Sequence, residues 1–134
     1  MDGYGKRILV IDDDAACRAL LEDQLGQEGY AVKTVCDGKA GLEDMRKRHF
    51  DAVITDGHMP GLSGLEFARF SRIAWPDTPV ILMSADADSF TLDAEQSGPV
   101  TCIHKPYETT LLLNVLRTAT QPASAHRATV SLRT

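Results

Sequence analysis

Five short apolar runs are spaced along the chain at intervals wide enough for a helix, and each stops at polar or turn-forming residues. Residues 7–11 halt at Asp12, 30–35 give way to Asp37-Gly38, 51–55 deliver Asp56, 79–83 end at Ser84 and 100–104 end at Lys105. The first and fourth runs are continuously apolar instead of alternating, the pattern of central parallel strands covered on both faces. Helical periodicity fills the gaps. Over 15–28, Cys17, Leu20, Leu21 and Leu25 share a face that excludes Arg18, Glu22 and Asp23, with Asp14 as the N-cap and Gly29 as the stop. A second helix is expected over 39–49 after an Asp37-Gly38 turn, with Lys47, Arg48 and His49 near the negative pole of its dipole. Ser63 is placed to cap a helix over 64–74 that offers Leu65, Phe67, Phe70 and Ile73 as buried residues and stops at Trp75-Pro76. The segment 86–97 is the least periodic, whereas over 108–119 Leu112, Val115, Leu116 and Ala119 share a face flanked by Leu111.

Strands alternating with helices of crossover length predict an α/β fold, a doubly wound parallel sheet of the flavodoxin-like (βα)5 type with strand order 2-1-3-4-5. The expected organisation is a lead-in over 1–6, one domain over 7–119 and a short, Pro-, Ala-, Ser- and Thr-containing tail over 120–134 that is expected to be disordered. A parallel sheet brings the carboxyl ends of its strands to one edge. Asp12 and Asp13, Asp56, Ser84 and Lys105 each stand at such an end, on strands that the predicted order makes neighbours about 4.8 Å apart. Each alone reads as a turn, a cap or a surface charge; their coincidence on four strand ends points to one shared site.

Charge decides what that site holds. Two carboxylates 4 Å apart repel by about 4 kcal/mol at an effective dielectric of about 20, so a cluster of three needs a cation. Mg²⁺ fits, being a hard ion that takes oxygen ligands, keeps waters and shares its shell with phosphate. Lys105 and the Ser84 hydroxyl are suited to holding phosphoryl oxygens, and Asp56 to accepting the group as an acyl phosphate.

Composition narrows the rest. In 134 residues, 43% apolar, there is room for one core, and a net charge of −5 with scattered Lys and Arg argues against nucleic acid as a direct ligand. No apolar run is long enough to insert in a membrane, and the three unpaired cysteines, Cys17, Cys36 and Cys102, read as reduced packing residues of a cytoplasmic protein.

Ile8 to Asp14, Asp56-Gly57-His58-Met59-Pro60 with Gly64 eight residues after Asp56, Pro79-Val80-Ile81 leading to Ser84-Ala85, and Lys105-Pro106-Tyr107 together resemble the receiver domain of two-component response regulators. The resemblance covers about 7–119. It implies that Asp56 accepts a phosphoryl group from a phosphohistidine on a sensor histidine kinase or a histidine phosphotransfer protein. Asp12, Asp13, Asp56 and the backbone carbonyl of His58 would hold Mg²⁺, with Ser84 and Lys105 on the phosphoryl oxygens. It implies a signalling phosphoacceptor and not an enzyme, read out by a downstream protein target. The expected readout face, also the candidate homodimer surface, is built from the helix over 86–97, the fifth strand and the last helix. Cys102 departs from the family, which often carries an aromatic switch three positions before the lysine. His58 and Asp86 occupy positions that tune how long the phosphoryl group survives, while His49, His104 and His126 show no ligand spacing and receive no role.

Two rivals stand beside this reading. A haloacid-dehalogenase-type phosphatase would use Asp12 and Asp14 as nucleophile and acid, but Ala15 and Ala16 stand where its threonine or valine belongs, and Asp56 is left idle. A pseudo-receiver would keep the fold and work without phosphorylation; the complete set of site residues opposes it, while Cys102 leaves it open. A flavin-binding protein fits less well, because an acidic loop follows the first strand.

Overall fold

The computed structural model describes residues 5–85 and 101–121. The helix expected over 86–97, Asp86 and Val100, residues 1–4 of the lead-in, and the tail from residue 122 with His126 lie outside the described residues. The strands are β1 (Arg7–Ile11), β2 (Ala31–Val35), β3 (Ala52–Asp56), β4 (Val80–Ser84) and β5 (Thr101–His104). The helices are α1 (Ala15–Gln27), α2 (Gly38–Lys47), α3 (Gly64–Ala74) and α4 (Thr109–Ala119). All strand pairs are parallel and the sheet order is β2-β1-β3-β4-β5, the flavodoxin-like order.

Side chains alternate across the sheet with a period of two, so a strand covered on both faces feeds two cores. Ile8 and Val10 of β1, Ala52 and Ile54 of β3, and Ile81 and Met83 of β4 join Leu21, Leu25, Leu112 and Leu116 on one face. Leu9 and Ile11, Val53 and Val80 join Met45, Phe50, Phe67 and Ala68 on the other. The outer strands are thinly covered: β5 buries only Ile103 fully, and β2 buries none of its residues fully.

Local chemistry starts the helices. The Asp14 carboxylate accepts the N–H groups of Ala16 at 2.8 Å and Cys17 at 3.3 Å, capping α1. Asp37 accepts Ala40 N–H at 2.8 Å, so the expected Asp37-Gly38 turn is the start of α2. Ser63 and Glu66 form a reciprocal capping box on α3. Gly29 lies at φ +92°, in the left-handed region, where it ends the turn after α1.

Several expected core residues are not in the core. Leu20 is 55% exposed, Phe70 44%, Ile73 84% and Leu111 49%. Periodicity places these residues near the apolar stripe of their helices, but the sheet covers only the central part of each stripe. Cys36 is exposed and not a packing residue, whereas Cys17 and Cys102 are half-buried, and none of the three forms a disulfide. The expected boundaries shift by one or two residues at β2, β3, β4 and α2, and Glu28 and Glu108 are flanking caps instead of helical residues.

Leu112 and Leu20 were equals by periodicity and are opposites by burial. Leu112→Ala is expected to lower unfolding stability by about 2–5 kcal/mol. Leu20→Ala is expected to change it by about 1 kcal/mol or less. Urea unfolding of the two variants compares them directly.

Candidate functional site

The carboxyl edge of the sheet gathers the predicted residues. Asp12 follows the last residue of β1, and its backbone N–H donates to Val35 O at 3.2 Å, extending the ladder past the strand end. The side chain is then fixed from behind: Asp12 Oδ1 accepts the Asp14 N–H at 2.9 Å, and the Arg18 guanidinium donates to the Asp12 carbonyl at 2.7 Å. The other carboxylate oxygen, Oδ2, is buried and has no hydrogen-bond partner among the described residues. Asp12 as a whole is only 2% exposed, while Asp13 is exposed and Asp56 is half-buried.

Asp56 is the last residue of β3 and pairs in register with Met83, so Ser84 stands one step beyond it on the neighbouring strand. Lys105 follows β5, and its backbone N–H donates to Ser84 O at 2.8 Å. The Lys105 ammonium lies 3.5 Å from Asp56 Oδ1, which is also 3.4 Å from the His58 N–H. Ser84 is buried at 5% exposure. The loop after Asp56 is pinned at both ends, Gly57 N–H donating to Met83 O at 2.8 Å and Gly64 N–H to Gly57 O at 3.1 Å. Gly64 packs so closely that a Cβ there would overlap the Asp56 carbonyl oxygen. Within the loop Met59 is buried and Gly61 adopts φ +76°.

One oxygen from each of Asp12, Asp13 and Asp56 lies within 4.8 Å of the other two. Three carboxylates faced by one ammonium leave two negative charges uncompensated. Burial raises the Asp12 pKa above the ordinary carboxylate value; the Asp14 N–H and Lys105 oppose this, and the Asp56 and Asp13 charges add to it. An all-oxygen donor set, a net charge of two and an orphaned buried carboxylate oxygen fit a hard divalent cation. Asp14 takes no part, because its carboxylate is engaged as the α1 cap, and that removes the acid a phosphatase built on Asp12 and Asp14 would need.

Beside the acidic cluster, an apolar cleft of about 480 Å³ runs between α1 and the chain after β5, sharing Asp12 and Lys105 with the site. Leu20 and Cys17 line it, which accounts for their incomplete burial. Burial raises the pKa of both Cys17 and Tyr107 above their ordinary values. Sequence reasoning missed Arg18 as a support of Asp12. Its position four residues after the Asp14 cap, on the first turn of a helix that starts at the site, was the available signal. Cys102 packs against Leu65 and Leu82, and His58 is exposed.

A parallel sheet of this order with an acidic, lysine-bearing carboxyl edge defines a phosphoacceptor domain of the flavodoxin-like class. The chain belongs to the response regulator receiver domain family, whose model matches residues 8–117. It is 37% identical over 106 residues to the sensor histidine kinase RcsC of Escherichia coli, covering 78% of this chain and 11% of that protein. The chain therefore spans about a tenth of that relative's length. The chemotaxis protein CheY4 of Vibrio cholerae superposes with a TM-score of 0.80 at 26% identity, covering 86% of this chain and 98% of that one. The receiver domain of a sensor histidine kinase from Pseudomonas aeruginosa PAO1, with a magnesium ion coordinated in its active-site cleft, superposes with a TM-score of 0.79 at 25% identity, covering 87% of this chain and 98% of that one. As a receiver domain, the chain is a signalling phosphoacceptor of the two-component type.

Two expectations follow from the crowding at Asp12. A carboxyl group whose folded pKa is raised stabilises the fold at acid pH and loses that contribution as pH rises through the raised value. Asp12→Asn is therefore expected to raise the melting temperature at neutral pH without Mg²⁺, and to abolish the further rise that Mg²⁺ gives the wild type; calorimetry with and without the ion checks both. Gly64→Ala, which drives a methyl into the Asp56 carbonyl, is expected to cost about 1–3 kcal/mol by urea unfolding.

Proposed function

We propose that Asp56 is the residue that accepts the phosphoryl group, taking it from a phosphohistidine, with Ser84 and Lys105 binding the transferred oxygens. The observation that carries this is the Lys105 ammonium 3.5 Å from Asp56 Oδ1, beside a cluster of acidic oxygens within 4.8 Å of one another. Asp56 sits at the end of a fully packed strand, so the nucleophile is held in place and little entropy is left to lose on attack. An Asp56 oxygen forms the new O–P bond as the donor's N–P bond breaks, and the imidazole leaves with a proton.

Asp12, Asp13 and Asp56, with the His58 backbone carbonyl, are the residues proposed to hold Mg²⁺. The ion supplies charge neutralisation for the carboxylates and the incoming phosphoryl oxygens. Lys105 contributes the positive charge that belongs to the chain itself, and Ser84 a hydroxyl donor from the end of β4. Arg18 and the Asp14 N–H keep Asp12 aimed into the cluster.

The partners follow from the chemistry. Receiver domains work with histidine kinases. For this chain the donor is proposed to be a sensor kinase or a histidine phosphotransfer protein, and the output a protein contact made without direct binding to nucleic acid. The functional unit is taken as residues 7–119, working in the cytoplasm. Among the described residues no helix is long and apolar enough to cross a membrane. Replacing a carboxylate by an acyl phosphate adds negative charge and bulk beside Lys105 and Ser84, both tied to the β4–β5 end of the sheet. β5 and α4 are the described parts of the proposed readout and homodimer face.

Incubation with acetyl phosphate and Mg²⁺, followed by mass spectrometry, is expected to add one base-labile, acid-stable phosphoryl group to the wild type and none to Asp56→Asn. Label on Asp12, or none on the wild type, would overturn the assignment. His58→Ala is expected to alter the lifetime of that label while Mg²⁺ affinity stays within about two-fold, since only the backbone carbonyl of residue 58 is assigned to the ion; an unchanged lifetime removes the side chain from that role.

A further inference from the structure

We propose that His104 is a positioning residue for phosphoryl transfer, acting through the backbone that carries Ser84. The proposal rests on the reading that Asp56 is phosphorylated with Ser84 and Lys105 beside it.

His104 is the last residue of β5 and the register partner of Ser84. One backbone bond, Lys105 N–H to Ser84 O at 2.8 Å, closes the ladder between the two strands at this level. The residue after Lys105 is Pro106, which has no N–H to give, so the main chain of β5 cannot extend the tie at that position. The His104 ring extends it instead, with Nε2 3.1 Å from Ala85 O. A carbonyl oxygen only accepts, so Nε2 is the ring nitrogen that carries the proton in this contact. Ser84 and Ala85 are thus held to the end of β5 by two donors from adjacent residues, one main-chain and one side-chain.

The placement matters because Lys105 and Ser84 must meet oxygens of the same phosphoryl group. Lys105 is fixed by following directly on β5, whereas the Ser84 hydroxyl depends on where the end of β4 lies relative to β5. The chain turns out of the sheet at Ala85, which is exposed, so the Ala85 carbonyl is the point where a donor from β5 limits how far that end can swing. An error of about an ångström in a group that must meet a reacting atom is costly in rate. The imidazole touches neither Asp56 nor the acidic cluster in any contact described above, so its effect is expected on phosphoryl transfer and not on Mg²⁺ binding.

The test separates the ring's donor from its bulk. His104→Phe keeps an aromatic ring on an edge strand and removes the N–H; His104→Gln keeps an N–H donor without the ring. With acetyl phosphate as donor and saturating Mg²⁺, the full chain carrying His104→Phe is expected to phosphorylate roughly three- to ten-fold more slowly than wild type, the loss of one hydrogen bond's worth of positioning. His104→Gln is expected to stay within about two-fold of wild type, with Mg²⁺ affinity and melting temperature of both variants close to the wild-type values. Equal rates in wild type and both variants overturn the proposal while leaving the phosphoacceptor reading intact. So does an equal slowing of both variants, or a rate loss accompanied by a fall in melting temperature, since each would mark a role in packing. A wild type that takes up no label overturns the phosphoacceptor reading, and the proposal with it.

Discussion

Three carboxylates facing a single ammonium at one end of a parallel sheet carry two negative charges that the described residues do not neutralise. That crowding is the constraint around which the rest is arranged. Asp12 bears most of it, because its side chain is almost wholly buried and one oxygen has no donor among the described residues. An isolated carboxylate in that position would protonate or turn outward. Here it is kept from turning outward, because the Asp14 N–H and the Arg18 guanidinium fix the corner between β1 and α1 from behind. The fold accepts a local electrostatic cost at the place where a divalent cation would relieve it.

Holding charges together against their repulsion needs a stiff support, and the middle of the sheet provides one. Inner residues of β1, β3 and β4 are buried on both faces, so Asp12 and Asp56 project from strands that cannot tilt without opening two cores. The loop after Asp56 is fixed by the bonds of Gly57 and Gly64, and by the contact of Gly64 with the Asp56 carbonyl, which leaves no space for a side chain. Precision at Asp56 therefore comes from packing and from the main chain. The titratable residues that share the site contribute charge, while neighbours such as Gly57 and Gly64, which carry none, determine where the Asp56 charge is held.

The sheet and its site were legible in the residues because each strand stops abruptly. An apolar run that ends at Asp, Ser or Lys marks both the strand and its carboxyl edge, and a parallel topology then forces those edges together. What the residues did not show was which parts of an apolar stripe are covered. Leu20, Phe70 and Ile73 have helical spacing like that of Leu21 and Phe67, yet they lie at the margins of the area the sheet covers. Nor does spacing reveal support that runs through the main chain: Arg18 looks like a solvated helix residue, although its guanidinium is bonded to the carbonyl of Asp12. The unsatisfied oxygen of Asp12 is likewise a property of the assembled site, since it depends on which donors the neighbouring elements fail to bring.

The same distribution of packing indicates where a change at Asp56 can travel. β1 and β3 are locked by the two cores, so added charge and bulk at the end of β3 find little yielding there. β5 is an edge strand with one fully buried residue among four, and it carries Lys105 at its end. Local displacement is easiest where buried contacts are fewest. Lys105 is bonded to Ser84 through the main chain and paired with Asp56 through its ammonium, so it joins the rigid half of the site to the yielding half. The phosphoryl group proposed on Asp56 would compete for that ammonium, and the strand behind Lys105 is less able to resist than β1 or β3. The proposed route from Asp56 to the surface follows the gradient of burial across the sheet, from the fully packed β3 to the thinly covered β5.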